Sequence, residues 1–251
     1  MALVWEQHLE GNHYQVRSHG ASVRLYTNGV FHSQWNPRDP LKGSLWELLL
    51  LPAFFRDARQ LRSVLVLGVG GGAVIRLLQR FVGPERIVGV DLDPVHLDVA
   101  RNYFGAGSGT GQIELVCADA REFMADTTSR ASQYDLVIDD LFGHIDGEAR
   151  RTVPVDPAWC HRLLGSLSPA GVLVGNFGSR REMLASGWRS PGIRRVLQGS
   201  WSAELPGYEN CVLAVSRAPL SRAELVARAP AAINPASASN RLHCKLGRLR
   251  G

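Results

Sequence analysis

The chain has 251 residues, room for one large domain and a small appendage, and its 45% hydrophobic and 20% charged composition is that of an ordinary soluble protein. No apolar run is long enough for a membrane span, because Glu47 and Pro52 interrupt the longest one, LWELLLLPAFF, and the start of the chain has no basic stretch leading into an apolar core, so the expectation is a cytoplasmic protein without a signal peptide. The net charge of +5 comes from five basic residues after Glu224 and leaves the body balanced at 23 basic and 23 acidic residues, so no nucleic-acid footprint is expected on the folded part.

In chain order, YQVRSHG, ASVRLYTNG and VFHSQW read as short strands over residues 14–35, and the Asn-Gly of TNGV is a strong hairpin signal. Ser44 with Glu47 three residues on has capping-box spacing and predicts a helix reaching about Phe55. From Val64 strand and helix alternate. SVLVLG, RIVGVD, IELVCA, YDLVIDD and GVLVGNF are strands apolar on both faces, and helices follow at 72–81, 94–103, 119–125 and about 156–167. This pattern predicts an α/β fold with a doubly wound, mostly parallel sheet. GSWSAELPG and YENCVLAVSR add an antiparallel C-terminal strand pair. The division expected is an N-terminal β-hairpin region and connecting helix over 1–57, an α/β domain over 58–218, and a C-terminal helix, Ala/Pro/Ser linker and disordered basic tail over 219–251.

Four positions at strand ends carry chemistry. Gly68, Gly70 and Gly72 stand between a strand and a helix, where glycine permits a sharp turn and close approach of a ligand to the backbone. The third glycine of a dinucleotide fingerprint is absent. Asp91 ends the next strand, in place to accept hydrogen bonds from ribose hydroxyls, while Asp93 with Pro94 after it reads as a helix cap. Asp119 follows the third strand and opens a helix, as an acceptor for an exocyclic amine or as an N-cap. Asp139 and Asp140 close the fourth strand; adjacent side chains alternate, so one of the two should face a ligand crevice and accept a proton from an attacking amine.

The order of these motifs resembles the spermidine synthase family, the polyamine aminopropyltransferases, whose core is the class I methyltransferase fold. The resemblance covers about residues 14 to 216 and includes YTNGVFHSQW, LWELLLLPAFF, VGVDLDPVHLDVARNYF and YDLVIDDLFG. It implies transfer of the aminopropyl group of decarboxylated S-adenosylmethionine to an amine, leaving methylthioadenosine. The glycine loop, Asp91 and Asp119 would hold the nucleoside, Asp140 would take the nucleophile's proton, and Glu47 and Gln34 would face the acceptor; His144, which follows the end of the fourth strand, is expected on position alone to enter the crevice. The resemblance also implies a homodimer joined partly through N-terminal strands.

The departures concern the amine. The family's loop aspartate aligns with Gly71, a second catalytic-strand aspartate with Gly143, the helix tyrosine with Leu45, and a strand glutamine falls near His32. Each lost charge-assisted contact is worth about 1–3 kcal/mol. The expectation is therefore an altered acceptor pocket. A methyltransferase using intact S-adenosylmethionine and a silent nucleoside-binding scaffold stand as alternatives. No metal is expected: the four cysteines form no CxxC, and His8, His13 and His19 have no ligand spacing along the chain.

Overall fold

The computed structural model describes residues 1–107, 111–129, 133–145 and 148–248. The chain opens with four antiparallel strands, β1 (Ala2–Leu9), β2 (Asn12–His19), β3 (Ser22–Thr27) and β4 (Val30–Trp35), which form a sheet of their own in that order. Asn28 and Gly29 both take positive φ, 52° and 80°, and close the β3–β4 hairpin as the Asn-Gly signal predicts. Strand β1 carries no such signal in the sequence. It is an edge strand with both faces largely exposed, so its residues show no apolar alternation.

Helix α1 (Leu45–Leu50) starts at Ser44 with the predicted capping box to Glu47 and runs into a 3₁₀ segment over Leu51–Phe55. The α/β part follows: β5 (Ser63–Leu67), α2 (Ala73–Phe81), β6 (Arg86–Asp91), α3 (Pro94–Val99), β7 (Gln112–Cys117), α4 (Ala120–Ser129) and β8 (Tyr134–Asp139). Asp93 caps α3 with Pro94 at its first position, and the helix widens into a π turn over Ala100–Phe104. A small separate hairpin, β9 (Phe142–Ile145) with β10 (Glu148–Arg151), comes directly after β8. It is short and polar, and the sequence gives it no strand pattern. Then come α5 (Pro157–Gly165), β11 (Leu167–Phe177), α6 (Arg180–Ala185), α7 (Pro191–Val196), β12 (Gly199–Glu204), β13 (Cys211–Ser216), α8 (Arg222–Arg228) and β14 (Lys245–Gly247).

Eight strands form the main sheet, in the order β14-β12-β13-β11-β8-β5-β6-β7. β5, β6, β7, β8 and β11 are parallel, whereas β13, β12 and β14 continue the sheet antiparallel. The chain winds outward from β5 through β6 and β7, then returns to β8 and winds the other way. The carboxyl ends of β5 and β8 are thus the switch point, where such sheets open a ligand crevice. Alternation along β5 shows the two cores. Val64 and Val66 join one apolar cluster with α1, α2 and the N-terminal sheet, while Leu65 and Leu67 join a second with α4 and α5.

The C-terminal segment contains a helix, Arg222–Arg228, as expected, but its linker and the described part of its tail, to residue 248, are packed where disorder was expected: Ile233 and Leu242 are fully buried. Asn234 Nδ2 donates to the carbonyls of Val226 and Ala229, Arg241 pairs with Asp39 at 2.9 Å, and β14 adds itself to the edge strand β12. The physical reason is that two apolar anchors and one capping amide order a segment whose small, polar remainder resembles a linker. Among the described residues, no helix is long and apolar enough to cross a membrane.

Removal of the Leu242 side chain should therefore destabilise the whole fold, by about 2–5 kcal/mol as for other buried leucines. Chemical denaturation of Leu242→Ala measures it; an unchanged midpoint would show that the segment is not part of the cooperative unit.

Candidate functional site

The site is built around the turn between β5 and α2. Gly68 leaves the strand at φ 88°, and a Cβ there would lie 2.2 Å from the carbonyl oxygen of Asp140, so no other residue fits. The next two amides point at one carboxylate: Val69 N–H and Gly70 N–H both donate to Asp91 Oδ2 at 2.9 Å. Asp91 Oδ1 accepts the Asp93 N–H, also at 2.9 Å. Burial alone would raise the Asp91 pKa, but the neighbouring His96 and these backbone donors outweigh it and hold the carboxylate below its usual range. Gly72 takes φ 83° as the N-cap of α2 and packs against Ala100 and Ala106.

Gly71 is closed to any side chain. Its N–H donates to Ser33 Oγ at 2.9 Å, and a Cβ would meet Phe104 Cζ at 2.7 Å and Ser33 Cβ at 2.8 Å. The loop is pressed against β4, so the position where the resembled family carries an aspartate has no room for one.

His96 carries no signal in the sequence beyond lying in the first turn of α3, yet it joins three elements. Its Nε2 lies 2.9 Å from Thr27 Oγ1 on β3 and 3.7 Å from Asp93 Oδ2, and its Nδ1 lies 3.8 Å from Asp91 Oδ1. Tyr14 on β2 donates its hydroxyl to Asp93 at 2.9 Å. Burial opposes a charge on the imidazole, but the two carboxylates prevail and raise its pKa. The N-terminal sheet is thereby tied to the acid at the end of β6.

Asp139 and Asp140 turn to opposite sides, as their adjacency requires. Asp139 points inward. Both its oxygens lie 2.9 Å from Arg151 Nη2, and its Oδ2 also accepts Trp159 Nε1–H at 3.1 Å. Arg151 in turn donates to the Asn176 carbonyl and lies over the rings of Phe142 and Phe177. This buried pair pins the β9–β10 hairpin to the sheet. Asp140 faces the crevice. Asn176 Nδ2 donates to its Oδ1 at 2.8 Å, and Asn210 Nδ2 donates to Asn176 Oδ1 at 3.1 Å. Burial pushes the Asp140 pKa up to about 7, against the opposing effect of the Asn176 hydrogen bond. Asn176, on which the sequence reading places no role, is thus the direct partner of the crevice acid.

A cavity of about 410 Å³ lies over this switch point. Of the residues singled out from the sequence, Gly68, Gly70, Asp91 and Asp140 line it. Phe31, His32 and Ser33 of β4 form one wall, Phe142 and Ala149 of the hairpin another, and Tyr208, Glu209 and Asn210 of the β12–β13 turn a third. The ionisable acids and imidazoles on its surface are Asp91, Asp140 and Glu209 with His32 and His96, and among the described residues no lysine or arginine lines it.

Asp119, Gln34 and Glu47 are not among the cavity-lining residues. Asp119 sits at the same sheet edge, beyond β7, but its carboxylate is held by Arg121 through the side chain at 2.6 Å and the backbone at 2.7 Å, which lowers its pKa. Gln34 accepts from Arg24 Nε at 2.6 Å on the N-terminal sheet. Glu47 is buried, which raises its pKa, and accepts from the Ser44 N–H as part of the α1 cap. Glu47 does what its capping-box spacing predicts, whereas the cross-strand contact of Gln34 with Arg24 is one that spacing could not reveal. The side chain of His144 lies outside the described residues.

Residues 64–154 match the family model of a methyltransferase domain. A polyamine aminopropyltransferase from Mycobacterium tuberculosis is 32% identical over 178 residues, which is 69% of this chain and 32% of that protein, so the matched part is about a third of the relative's length. Among solved structures, a probable spermidine synthase from Corynebacterium glutamicum superposes with a TM-score of 0.71 at 14% identity, covering 99% of this chain and 91% of the other. Human methyltransferase-like protein 13, solved in complex with SAH, gives 0.60 at 22% identity over 73% and 87% of the two chains. At these identities the structures establish the fold: a mainly parallel α/β sheet with an N-terminal antiparallel sheet and antiparallel C-terminal strands.

The raised Asp140 pKa has a sign that can be measured. An unfolded aspartate titrates near 3.9, so between about pH 4 and 7 the native state holds a proton that the unfolded chain has released, and stability falls as the pH rises through that window. Asp140→Asn should melt higher than the wild type at pH 8 and equally at pH 4. A melting difference independent of pH would refute the protonated carboxyl.

Proposed function

We propose, for this divergent spermidine synthase-like chain of the class I methyltransferase fold, that it binds an adenosyl sulfonium nucleoside of the decarboxylated S-adenosylmethionine type and transfers its aminopropyl group to an amine. The observation that carries the reading is Asp140: a carboxylate with a pKa of about 7, turned into a cavity that offers acids and no lysine or arginine. Such a lining attracts a cation and offers no lysine or arginine to the carboxylate of an intact methionine moiety; its basic groups are the imidazoles of His32 and His96.

In this reading the open glycine turn receives the nucleoside next to Asp91. The neutral acceptor nitrogen attacks the carbon beside the sulfonium. As the new C–N bond forms, the C–S bond breaks and its electrons neutralise the sulfur, leaving methylthioadenosine. The surplus proton on nitrogen passes to the Asp140 carboxylate, which Asn176 orients, and from there to solvent. The acceptor pocket differs from that of the resembled family. Position 71 is blocked by Phe104 and Ser33, a Cβ at Gly143 would lie 2.5 Å from Thr152 Cγ2, and the additional acid on the cavity surface comes instead from Glu209 of the β12–β13 turn.

Methyl transfer from intact S-adenosylmethionine is the second reading, favoured by the methyltransferase-domain match over residues 64–154 and by the absence of an acid at Gly71.

Calorimetric titration with decarboxylated S-adenosylmethionine, S-adenosylmethionine and methylthioadenosine separates the two. The proposal expects the decarboxylated compound and methylthioadenosine to bind more tightly than intact S-adenosylmethionine, and the reverse order establishes the second reading. Asp91→Ala should abolish nucleoside binding. Asp140→Asn should preserve it while lowering transfer by about 10²-fold or more, the scale of a lost general base. Transfer by the wild type should rise with pH through about 7, as Asp140 becomes able to accept a proton.

A further inference from the structure

The first hairpin brings together residues that the linear spacing keeps apart. Glu10 and Gly11 take positive φ, 49° and 79°, and form a two-residue turn between β1 and β2. Leu9 pairs with Asn12, which makes His8 and His13 the next cross-strand pair. In such a hairpin that second pair is the non-hydrogen-bonded kind, whose side chains stand closest. The two imidazoles stack with centroids 4.1 Å apart and planes within 6°. Glu6 lies on the same face, two residues before His8. Its Oε2 is 3.1 Å from His13 Nε2, and the Gln15 amide, across from Glu6, reaches that oxygen at 3.5 Å. One ligand atom from each of Glu6, His8 and His13 lies within 4.8 Å of the others. Among the described residues, no other trio of His, Cys, Asp or Glu side chains brings its ligand atoms so close.

We propose that Glu6, His8 and His13 form a binding site for a divalent transition-metal ion of the zinc class on the outer face of the β1–β2 hairpin. Two imidazoles and one carboxylate are the donor set of zinc, nickel or copper, whereas calcium and magnesium require oxygen ligands throughout. Three protein ligands leave a coordination position for water. The turn and the strand register fix the three backbones, so binding needs only rotation of exposed side chains: the stacked rings splay until both nitrogens address one ion, and Glu6 swings with them. Gln15 then stands as the outer partner that orients the carboxylate. The ion would tie β1, which pairs with β2 alone, to the rest of its sheet. This site is independent of the transfer reaction. On β2, His13 and Gln15 face away from Tyr14, which is buried in the core and bonds Asp93.

The test is titration of the full chain with zinc chloride in chelator-free buffer, followed by cobalt(II) absorption spectroscopy. One equivalent should bind, cobalt should give visible bands of low coordination number with nitrogen ligands, and the melting temperature should rise with zinc concentration. His8→Ala and His13→Ala should each weaken zinc at least tenfold and remove the cobalt bands, and Glu6→Gln should weaken it less. All three side chains are at the surface, so the variants should keep the wild-type melting temperature without metal. If no equivalent binds, or if the double variant H8A/H13A binds zinc as tightly as the wild type, the assignment is wrong.

Discussion

The Asp91 carboxylate is the constraint on which the site depends. It ends β6, is largely withdrawn from solvent, and spends its oxygens on the backbone: two amides of the glycine turn on one side and the Asp93 amide on the other. A buried carboxylate needs such donors to remain charged, and a glycine turn with exposed amides needs an acceptor to keep one shape. Each solves the other's problem. The end of β5, the start of α2 and the entry to α3 are thereby set relative to one another before any ligand arrives. His96 extends this arrangement to Thr27 on β3, and through Asp93 and Tyr14 to β2, so that the N-terminal sheet becomes a wall of the site.

The neighbouring acids of β8 show how one strand end supplies both scaffold and chemistry. Asp139, with Arg151 and Trp159, forms a buried ion pair whose loss on one side would leave an uncompensated charge. Its result is positional: the chain leaving the sheet returns as a hairpin and places Phe142 and Ala149 over the crevice. Asp140, one residue later and facing the other way, is desolvated, with the Asn176 amide as its hydrogen-bond partner and Arg151, Asp139 and Asp91 as weaker charged neighbours. That environment keeps its proton affinity near neutrality, where a group can both take and release a proton.

The departures at positions 71 and 143 are consequences of packing. The glycine loop lies so close to Ser33 and Phe104 that an acid cannot enter at Gly71, and Gly143 faces Thr152 across the β9–β10 hairpin. A wall that approaches this closely removes the usual positions for amine-binding acids. The acid added to the cavity surface stands on the β12–β13 turn. The cavity surface thus carries the carboxyl groups of Asp91, Asp140 and Glu209.

Much of this was legible in the sequence. Runs of apolar residues broken by glycine or aspartate specified the parallel strands and their carboxyl ends, because a strand covered on both faces cannot hide its composition. Asn-Gly and the Ser44–Glu47 spacing specified a hairpin and a cap, since both are local chemistry. The alternation of side chains required that Asp139 and Asp140 diverge. The sequence could not say which of them faces the crevice, because that follows from where Arg151 folds back, eleven or twelve residues later. It likewise could not show that Gln34 is held by Arg24, that His96 and Asn176 serve the site, or that the segment after Arg228 packs onto the sheet. These are contacts between residues distant along the chain, fixed by strand order and by the fit of side chains in three dimensions. Local pattern determined the elements and the acids at their ends; only their assembly decided which acids are free to meet a ligand.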